Sequence, residues 1–419
     1  MAGGADEGKP VAVIGAGLVG LCCALQLQRE GLSVALIDPG GPGEGASFGN
    51  AGIFAVGSVI PLGMPGLWRK VPGMLVDPLA PLAVRPSYAP RIAPWLFKLM
   101  VASSRPRVEA ISRALAGLCT PAIEHYLPLL KEAGAEALMR RDGVLYIYET
   151  EQDFADAAYE IELRRRAGIK FDVLGGDEIK QMQPALGPRF ARALYMQDAA
   201  HAMHPLGISQ ALADLFRRKG GEILRARATG FELGPQDVRA VLTEGGRQSC
   251  SGVVISAGAR SLPLVRQLGH DCPLDTERGY HVMFPNAGLE VRRAMLWSKR
   301  GFGITPMQHG LRLAGTVEFG GLDLPPNWNR AEVLRRHARR LFPDLKEEGM
   351  ERWMGFRPSM PDSLPVIGRS PRFHNAYFAF GHGHLGLTLA AATGRLVADL
   401  ACGRTPSVDA APFGIERFS

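Results

Sequence analysis

Val11-Ala12-Val13-Ile14-Gly15-Ala16-Gly17-Leu18-Val19-Gly20 is the stretch on which the reading of this chain turns. Four apolar residues in a row read as a central strand buried on both faces. Helical spacing follows from Leu18 to about Glu30, and Gly31 is the expected stop. A second strand, Ser33 to Ile37, ends at Asp38, 18 residues after Gly20. Gly15 permits the tight turn, Gly17 lets backbone approach a pyrophosphate, and Gly20 lets helix and sheet pack closely. The helix start presents free N–H groups and a positive dipole end to phosphate. Asp38 stands where a carboxylate accepts ribose hydroxyls, which argues against a 2′-phosphate. Together these features predict a Rossmann-like dinucleotide site, with Leu18, Val19 and Pro39 beside the glycines and the acid.

The 419 residues, 46% hydrophobic, are enough for large cores and more than one domain. The formal charge of +7 favours anionic partners, but the basic residues are dispersed. Arg164-Arg165-Arg166 and Arg335/Arg336/Arg339/Arg340 read as solvated helix faces, with no nucleic-acid motif beside them. Six scattered cysteines form no CxxC pair, so neither a disulfide framework nor a zinc site is expected, and a reducing compartment fits best. Neither a signal peptide nor a membrane-spanning run is expected; a cytoplasmic protein is.

Three later segments extend the nucleotide site. Gly45-Ala46-Ser47-Phe48-Gly49-Asn50-Ala51-Gly52 offers small and polar residues along which a long cofactor can lie. Gly252-Val253-Val254-Ile255-Ser256-Ala257-Gly258-Ala259 is a buried strand opening into a turn. Asn375 to Phe380 is a strand feeding Gly381-His382-Gly383-His384-Leu385-Gly386-Leu387-Thr388 and a long helix. That second helix start would stabilise negative charge developing on a reduced ring system.

In this order the segments carry a family resemblance. VIGAGLVG, ASFGNAG, PLAPLAVRP, VVISAGA, ERGYHV, GFRPSMPDSLPVIG and GHGHLGLTLAAATG resemble the D-amino-acid oxidase superfamily of FAD-dependent oxidoreductases. The bacterial D-amino-acid dehydrogenase branch (small subunit type) is the most similar part of it. The resemblance implies FAD as cofactor. Some relatives tether it through a histidine where this chain has Gly49, others through a cysteine where it has Gly355, so non-covalent FAD is expected.

The resemblance also implies that Arg357, in Gly355-Phe356-Arg357-Pro358, holds the substrate carboxylate. A guanidinium suits that role on its own chemistry, being permanently charged and bidentate; pairing with Asp362 is the structural alternative. Many relatives add a tyrosine where this chain has Gly303. Tyr280 or His281 can supply that contact, or each is simply a packed strand residue. His384 is the remaining catalytic candidate, while His382 and His384 lack the partners for a metal site. His201 and His204 are read as structural. The implied reaction is hydride transfer from Cα of a small amino acid to flavin N5, the imine then hydrolysing to a 2-oxo acid and ammonia. The protein aligns the reactants, and no strong base is expected.

The expected fold is α/β with an α+β cap. Residues 10–60, 200–262 and 354–415 would form a discontinuous FAD-binding domain. Residues 61–199 and 263–353 would form a substrate domain with a mixed or antiparallel sheet. Helical stretches are expected at 108–118, 153–166 and 330–341, and strands at 144–148, 280–284 and 311–317. The Pro-rich segment 61–102 interleaves Leu67, Trp68, Met74, Leu75, Leu79, Leu82, Trp95, Leu96, Phe97, Leu99 and Met100 with Arg69, Lys70, Arg85, Arg91 and Lys98. That mixture suits a lipid surface on the inner face of a membrane or packing within the cap. The dehydrogenase branch implies electron transfer to a quinone. Alternatives are a dehydrogenase of a cyclic secondary amine such as D-proline or cis-4-hydroxy-D-proline, an oxygen-using oxidase, a subunit of an electron-transfer complex, and an NAD-linked enzyme. Oligomeric state is not legible.

Overall fold

The computed structural model describes residues 8–67 and 82–418. Trp68, Arg69, Lys70, Met74, Leu75 and Leu79 of the Pro-rich segment lie outside the described residues. Val11–Ile14 forms the centre of a six-stranded sheet, pairing in parallel with Val34–Asp38 on one side and Gly252–Ile255 on the other. Glu222–Arg225 extends it beyond Val34–Asp38, and Ala376–Phe380 beyond Gly252–Ile255, both parallel. An antiparallel edge strand, Val366–Arg369, completes the order.

Helices Leu18–Arg29, Ala122–Ala133, Pro205–Arg218 and Gly386–Ala401 cover one face of this sheet and bury its largest apolar cluster. Leu18–Arg29 and Gly386–Ala401 come together with little side-chain volume between them. A Cβ on Gly394 would lie 2.6 Å from the Cys22 backbone. That contact accounts for the small residues of Ala390-Ala391-Ala392 and for the complete burial of Cys22 and Cys23. On the opposite face sits a three-stranded antiparallel sheet, Ala228–Leu233, Val238–Thr243 and Gly246–Ser249.

A second, nine-stranded sheet is mixed. Asp275–Phe284 pairs antiparallel with both Glu351–Ser359 and Gly310–Phe319. Phe302–Met307, Ala294–Trp297 and Val144–Tyr148 continue outward, the last two as a parallel pair. One face packs on helix Asn329–Leu341 and the other looks toward the nucleotide-type sheet. The boundary expected at 353/354 falls inside strand Glu351–Ser359, the whole of which pairs with Asp275–Phe284. The expected helix over 153–166 is two helices, Glu151–Asp156 and Ala158–Arg166. The break turns Arg164 inward, so it is 5% exposed rather than solvated. Helix Ala89–Ala102 divides the described part of the Pro-rich segment: Ile92, Trp95 and Leu99 enter a small core, while Phe97 and Met100 stay outside.

Candidate active site

The first glycine turn is built by exclusion. Gly15 has φ +107°, and a Cβ there would sit 2.5 Å from the Ser256 carbonyl oxygen. The turn aims two backbone donors outward from the sheet. Ala16 N–H donates to Asp38 Oδ2 at 2.7 Å, and Leu18 N–H donates to Ser47 Oγ at 3.0 Å. Asp38 also accepts from Gly40 N–H at 2.8 Å, which fixes its carboxylate at the strand end. The loop after it braces itself, with Asn50 donating to Ser47 O and accepting from Gly52 N–H, both at 2.7 Å.

The second turn borders the same cavity as the first. Gly381 and Gly383 both have positive φ, and the chain then enters helix Gly386–Ala401 through a short 3₁₀ turn, Gly383–Leu385. Both turns open into one cavity of about 1520 Å³. Gly15, Gly17, Leu18, Val19, Asp38, Pro39, Ala46, Ser47, Asn50, Ala51, Ala257 and Gly258 line it from one end. His382, Gly383, His384, Leu385, Gly386 and Leu387 line it from the other.

Arg357 completes the wall from the mixed sheet. A bulge in the pairing of Asp275–Phe284 with Gly310–Phe319 puts Thr316 at φ +55°, an uncommon conformation for a β-branched residue. The bulge turns two carbonyls toward the guanidinium: Arg357 Nη1 donates to Thr316 O at 2.8 Å, and Nη2 to Gly315 O at 3.3 Å. Gly279 provides the space, since a Cβ there would lie 2.4 Å from Arg357 Cζ. Asp362, the structural alternative partner, is paired with Arg417 at 2.8 Å instead. Gly279→Ala should therefore displace the guanidinium and raise KM about 100-fold. Flavin content should not change, and steady-state kinetics with the flavin-to-protein absorbance ratio checks both; unaltered KM removes Gly279 from this role.

Several expected site residues sit elsewhere. Tyr280 points to the opposite face of its strand, where its hydroxyl donates to Glu318 Oε2 at 2.7 Å and accepts from Asn327 N–H at 2.9 Å. His281 is on the cavity side but lies behind Trp353, stacked on it at 5.2 Å, with Nδ1 3.1 Å from Gly49 O. Neither supplies the contact missing at Gly303, which does form part of the cavity wall. Thr388 is turned into the helix–strand contact, where it accepts from Ala55 N–H at 3.0 Å. Gly20, Gly52 and Gly381 are supports beneath the surface, packed against Gly15, Met307 and Met360. The His382 ring faces away, its Nε2 2.9 Å from Thr393 Oγ1. Sequence reasoning missed Tyr146, Tyr148, Arg164, Glu277 and Trp353, all on the wall. The i, i+2 spacing of Tyr146 and Tyr148 in one strand was the available signal.

A family profile described as FAD dependent oxidoreductase (DAO) matches residues 10–400. The chain belongs to this family. Among its relatives, the oxidoreductase is 42% identical to a protein named D-amino-acid oxidase from Bradyrhizobium diazoefficiens, over 98% of this chain and 99% of that one. It is 28% identical to D-amino acid dehydrogenase 2 of Mesorhizobium japonicum, over 95% and 98% of the two chains. The crystal structure of glycine oxidase from Geobacillus kaustophilus superposes with a TM-score of 0.75, covering 97% of this chain and 98% of that one at 22% identity. That likeness establishes the shared fold.

The residues present in the oxidoreductase fit FAD. The cavity exceeds the roughly 300–1,000 Å³ typical of small-ligand pockets, which leaves room for a dinucleotide and a small substrate together. A Cβ on Gly17 would meet only Ser47 Oγ at 3.4 Å, and one on Gly383 only Ser359 Oγ at 3.8 Å, so backbone lies open to the cavity at both turns.

Burial has an electrostatic consequence here. It pushes His281 and His382 down to about 3, and burial followed by the Arg357 charge pushes His384 down to about 4. His384 is therefore neutral beside Arg357 at neutral pH. The unfolded chain takes up these protons near the ordinary value of about 6.5, whereas the folded chain refuses them until far lower pH. For the buried His281 and His382, stability is then lost as pH falls from about 6.5 toward 4, by at most about 2 kcal/mol each at pH 5. Denaturant midpoints at pH 8 and pH 5 should show that loss. The double replacement of His281 and His382 by Gln should flatten it, and an unaltered slope would sink the assignment.

Proposed function

We propose that this oxidoreductase converts a small D-amino acid to its 2-oxo acid and ammonia. The observation that carries the reading is a half-buried guanidinium, Arg357, on the wall of the cavity shared by both glycine turns. Bound FAD supplies the two-electron oxidising power for the C–N bond. Arg357 binds the substrate carboxylate, the bulge carbonyls fix the guanidinium, and neutral His384 adds no second positive charge beside it. Gly386 and Leu387 begin a helix on the cavity wall, and that helix start would stabilise negative charge developing beside it. The preference for a D-enantiomer is supported by the names of the two relatives. Anaerobic bleaching of the flavin with a panel of D- and L-amino acids, D-proline derivatives included, tests the reading. Bleaching by D-amino acids is expected, and a panel without any reducing amino acid overturns it.

FAD is held without a covalent link. The Trp353 indole fills the space at both tether positions: a Cβ on Gly49 would lie 2.0 Å from Cε3, and one on Gly355 1.9 Å from Cη2. Acid precipitation should release all flavin into the supernatant, and yellow colour in the pellet would contradict the assignment.

The electrons pass to a quinone met at a membrane surface. Phe97, Met100 and Val101 are exposed on helix Ala89–Ala102 beside exposed Arg91 and Lys98, a combination suited to a lipid interface. No helix among the described residues is long and apolar enough to cross a membrane. Molecular oxygen is the second reading, favoured by the 42% identity to a protein named an oxidase. Reoxidation of the reduced protein by a soluble quinone should outpace that by air; the reverse order makes oxygen the acceptor.

A further inference from the structure

Glu277 is a buried carboxylate with no part in the reading so far. It is 4% exposed, it lines the cavity, and it stands directly opposite Arg357 in the pairing of Asp275–Phe284 with Glu351–Ser359. Side chains so placed on neighbouring strands have Cβ atoms about 4.5–5.5 Å apart. Burial raises the Glu277 carboxyl above its ordinary value, and the Arg357 charge and the Ser359 hydroxyl oppose that rise. The two groups nevertheless do not consume one another. The Arg357 guanidinium is held by the Gly315 and Thr316 carbonyls rather than closed onto Glu277. One wall of the cavity thus presents a cation and an anion side by side.

A buried charge next to a binding arginine has a cost unless a ligand uses it. An α-amino acid is a ligand that does, because its carboxylate and ammonium are separated by one carbon. We propose that Glu277 is the amine anchor of the substrate site, accepting N–H bonds from the α-amino group while Arg357 takes the α-carboxylate. The pair reads a zwitterion. It also discriminates by repulsion: a ligand with the same carboxylate but no amine sets its anion beside Glu277 with nothing to offset it. The 2-oxo acid product is such a ligand, so loss of ammonia weakens the hold on what remains and favours its departure. An amide or hydroxyl at 277 could accept an N–H bond but would supply no charge to attract the ammonium or to repel a second anion.

This inference rests on the amino-acid reading above, and its test separates the two. 2-Aminoisobutyrate and 2-hydroxyisobutyrate match in shape, and neither carries a Cα hydrogen, so neither can reduce the flavin. Each is titrated into the FAD-loaded protein and binding is read from the visible flavin spectrum. The wild-type protein is expected to bind the amino compound at least tenfold more tightly than the hydroxy compound. In Glu277→Gln the amino compound should weaken at least tenfold, and the hydroxy compound should bind equally well or better. An unchanged ratio in Glu277→Gln overturns the role of Glu277 even when amino acids still bleach the flavin. Equal binding of the two compounds by the wild-type protein overturns it without any variant, which covers a Glu277→Gln protein that fails to fold. Failure of every amino acid to reduce the wild-type flavin strikes the function itself, not this residue.

Discussion

Arg357→Ala is expected to raise the substrate concentration for half-saturation at least about 30-fold, since removing one partner of a desolvated charge pair costs about 2–5 kcal/mol. Bound flavin should stay at the wild-type level. The separation follows from the architecture. Arg357 belongs to strand Glu351–Ser359 of the mixed sheet, whereas the turns at 15–20 and 381–386 belong to the parallel sheet. Truncation also leaves Glu277 on the cavity wall without the Arg357 charge, so the substrate's carboxylate end meets repulsion as well as a lost contact. Arg357→Lys should recover only part of the loss, because a point charge cannot bridge the Gly315 and Thr316 carbonyls and a carboxylate in one plane. Steady-state kinetics with flavin quantitation decides the matter; saturation behaviour like the wild type removes Arg357 from the substrate site.

Gly20→Ala should have the opposite signature. Its new methyl carbon would sit 1.8 Å from the Gly15 carbonyl oxygen and 2.7 Å from Ser256 Oγ. The first contact is with backbone, which cannot rotate away, so the turn must open or the helix must lift off the sheet. Either movement displaces Gly15, Gly17, Leu18 and Val19, which line the cavity. The purified variant should carry less than about a tenth of the wild-type flavin and lose about 1–3 kcal/mol of apoprotein stability from overpacking. Loss of the cofactor's contribution comes on top of that. A flavin-to-protein ratio and melting temperature equal to wild type would contradict the close contact.

The parts of the molecule legible in the sequence are those set by short-range chemistry. Strand, turn, helix and acid between Val11 and Asp38 are adjacent in the chain, and each is forced by its own residues, so sequence position alone places them. Arg357 was legible because a short motif surrounds it. What escaped depended on pairing between distant strands. Tyr280 and His281 are neighbours, so a strand must send them to opposite faces, but which face meets the cavity is decided by the partners at 310–319 and 351–359. The Arg278/Tyr280 register shift, which no local pattern announces, places the bulge carbonyls beside Arg357. Arg164 was misread for a similar reason. Three arginines in a row look solvated, yet the break at Ala157 reorients the helix and lays Arg164 over the Tyr146 ring, 5.2 Å from its centroid. Glu277 sits in the quoted motif ERGYHV but gained its meaning only when Arg357 was found across the strand from it.

The indole of Trp353 has a bearing on how such proteins change over time. Because one ring occupies the room belonging to positions 49 and 355 alike, a histidine or cysteine arriving at either place collides with it before any bond to the cofactor can form. A permanent attachment therefore lies two coordinated replacements away, the tryptophan having to shrink first. Shrinking it also strips the His281 ring of its stacking partner. A lineage starting from this chain is thereby kept on the side of an exchangeable flavin by one side chain.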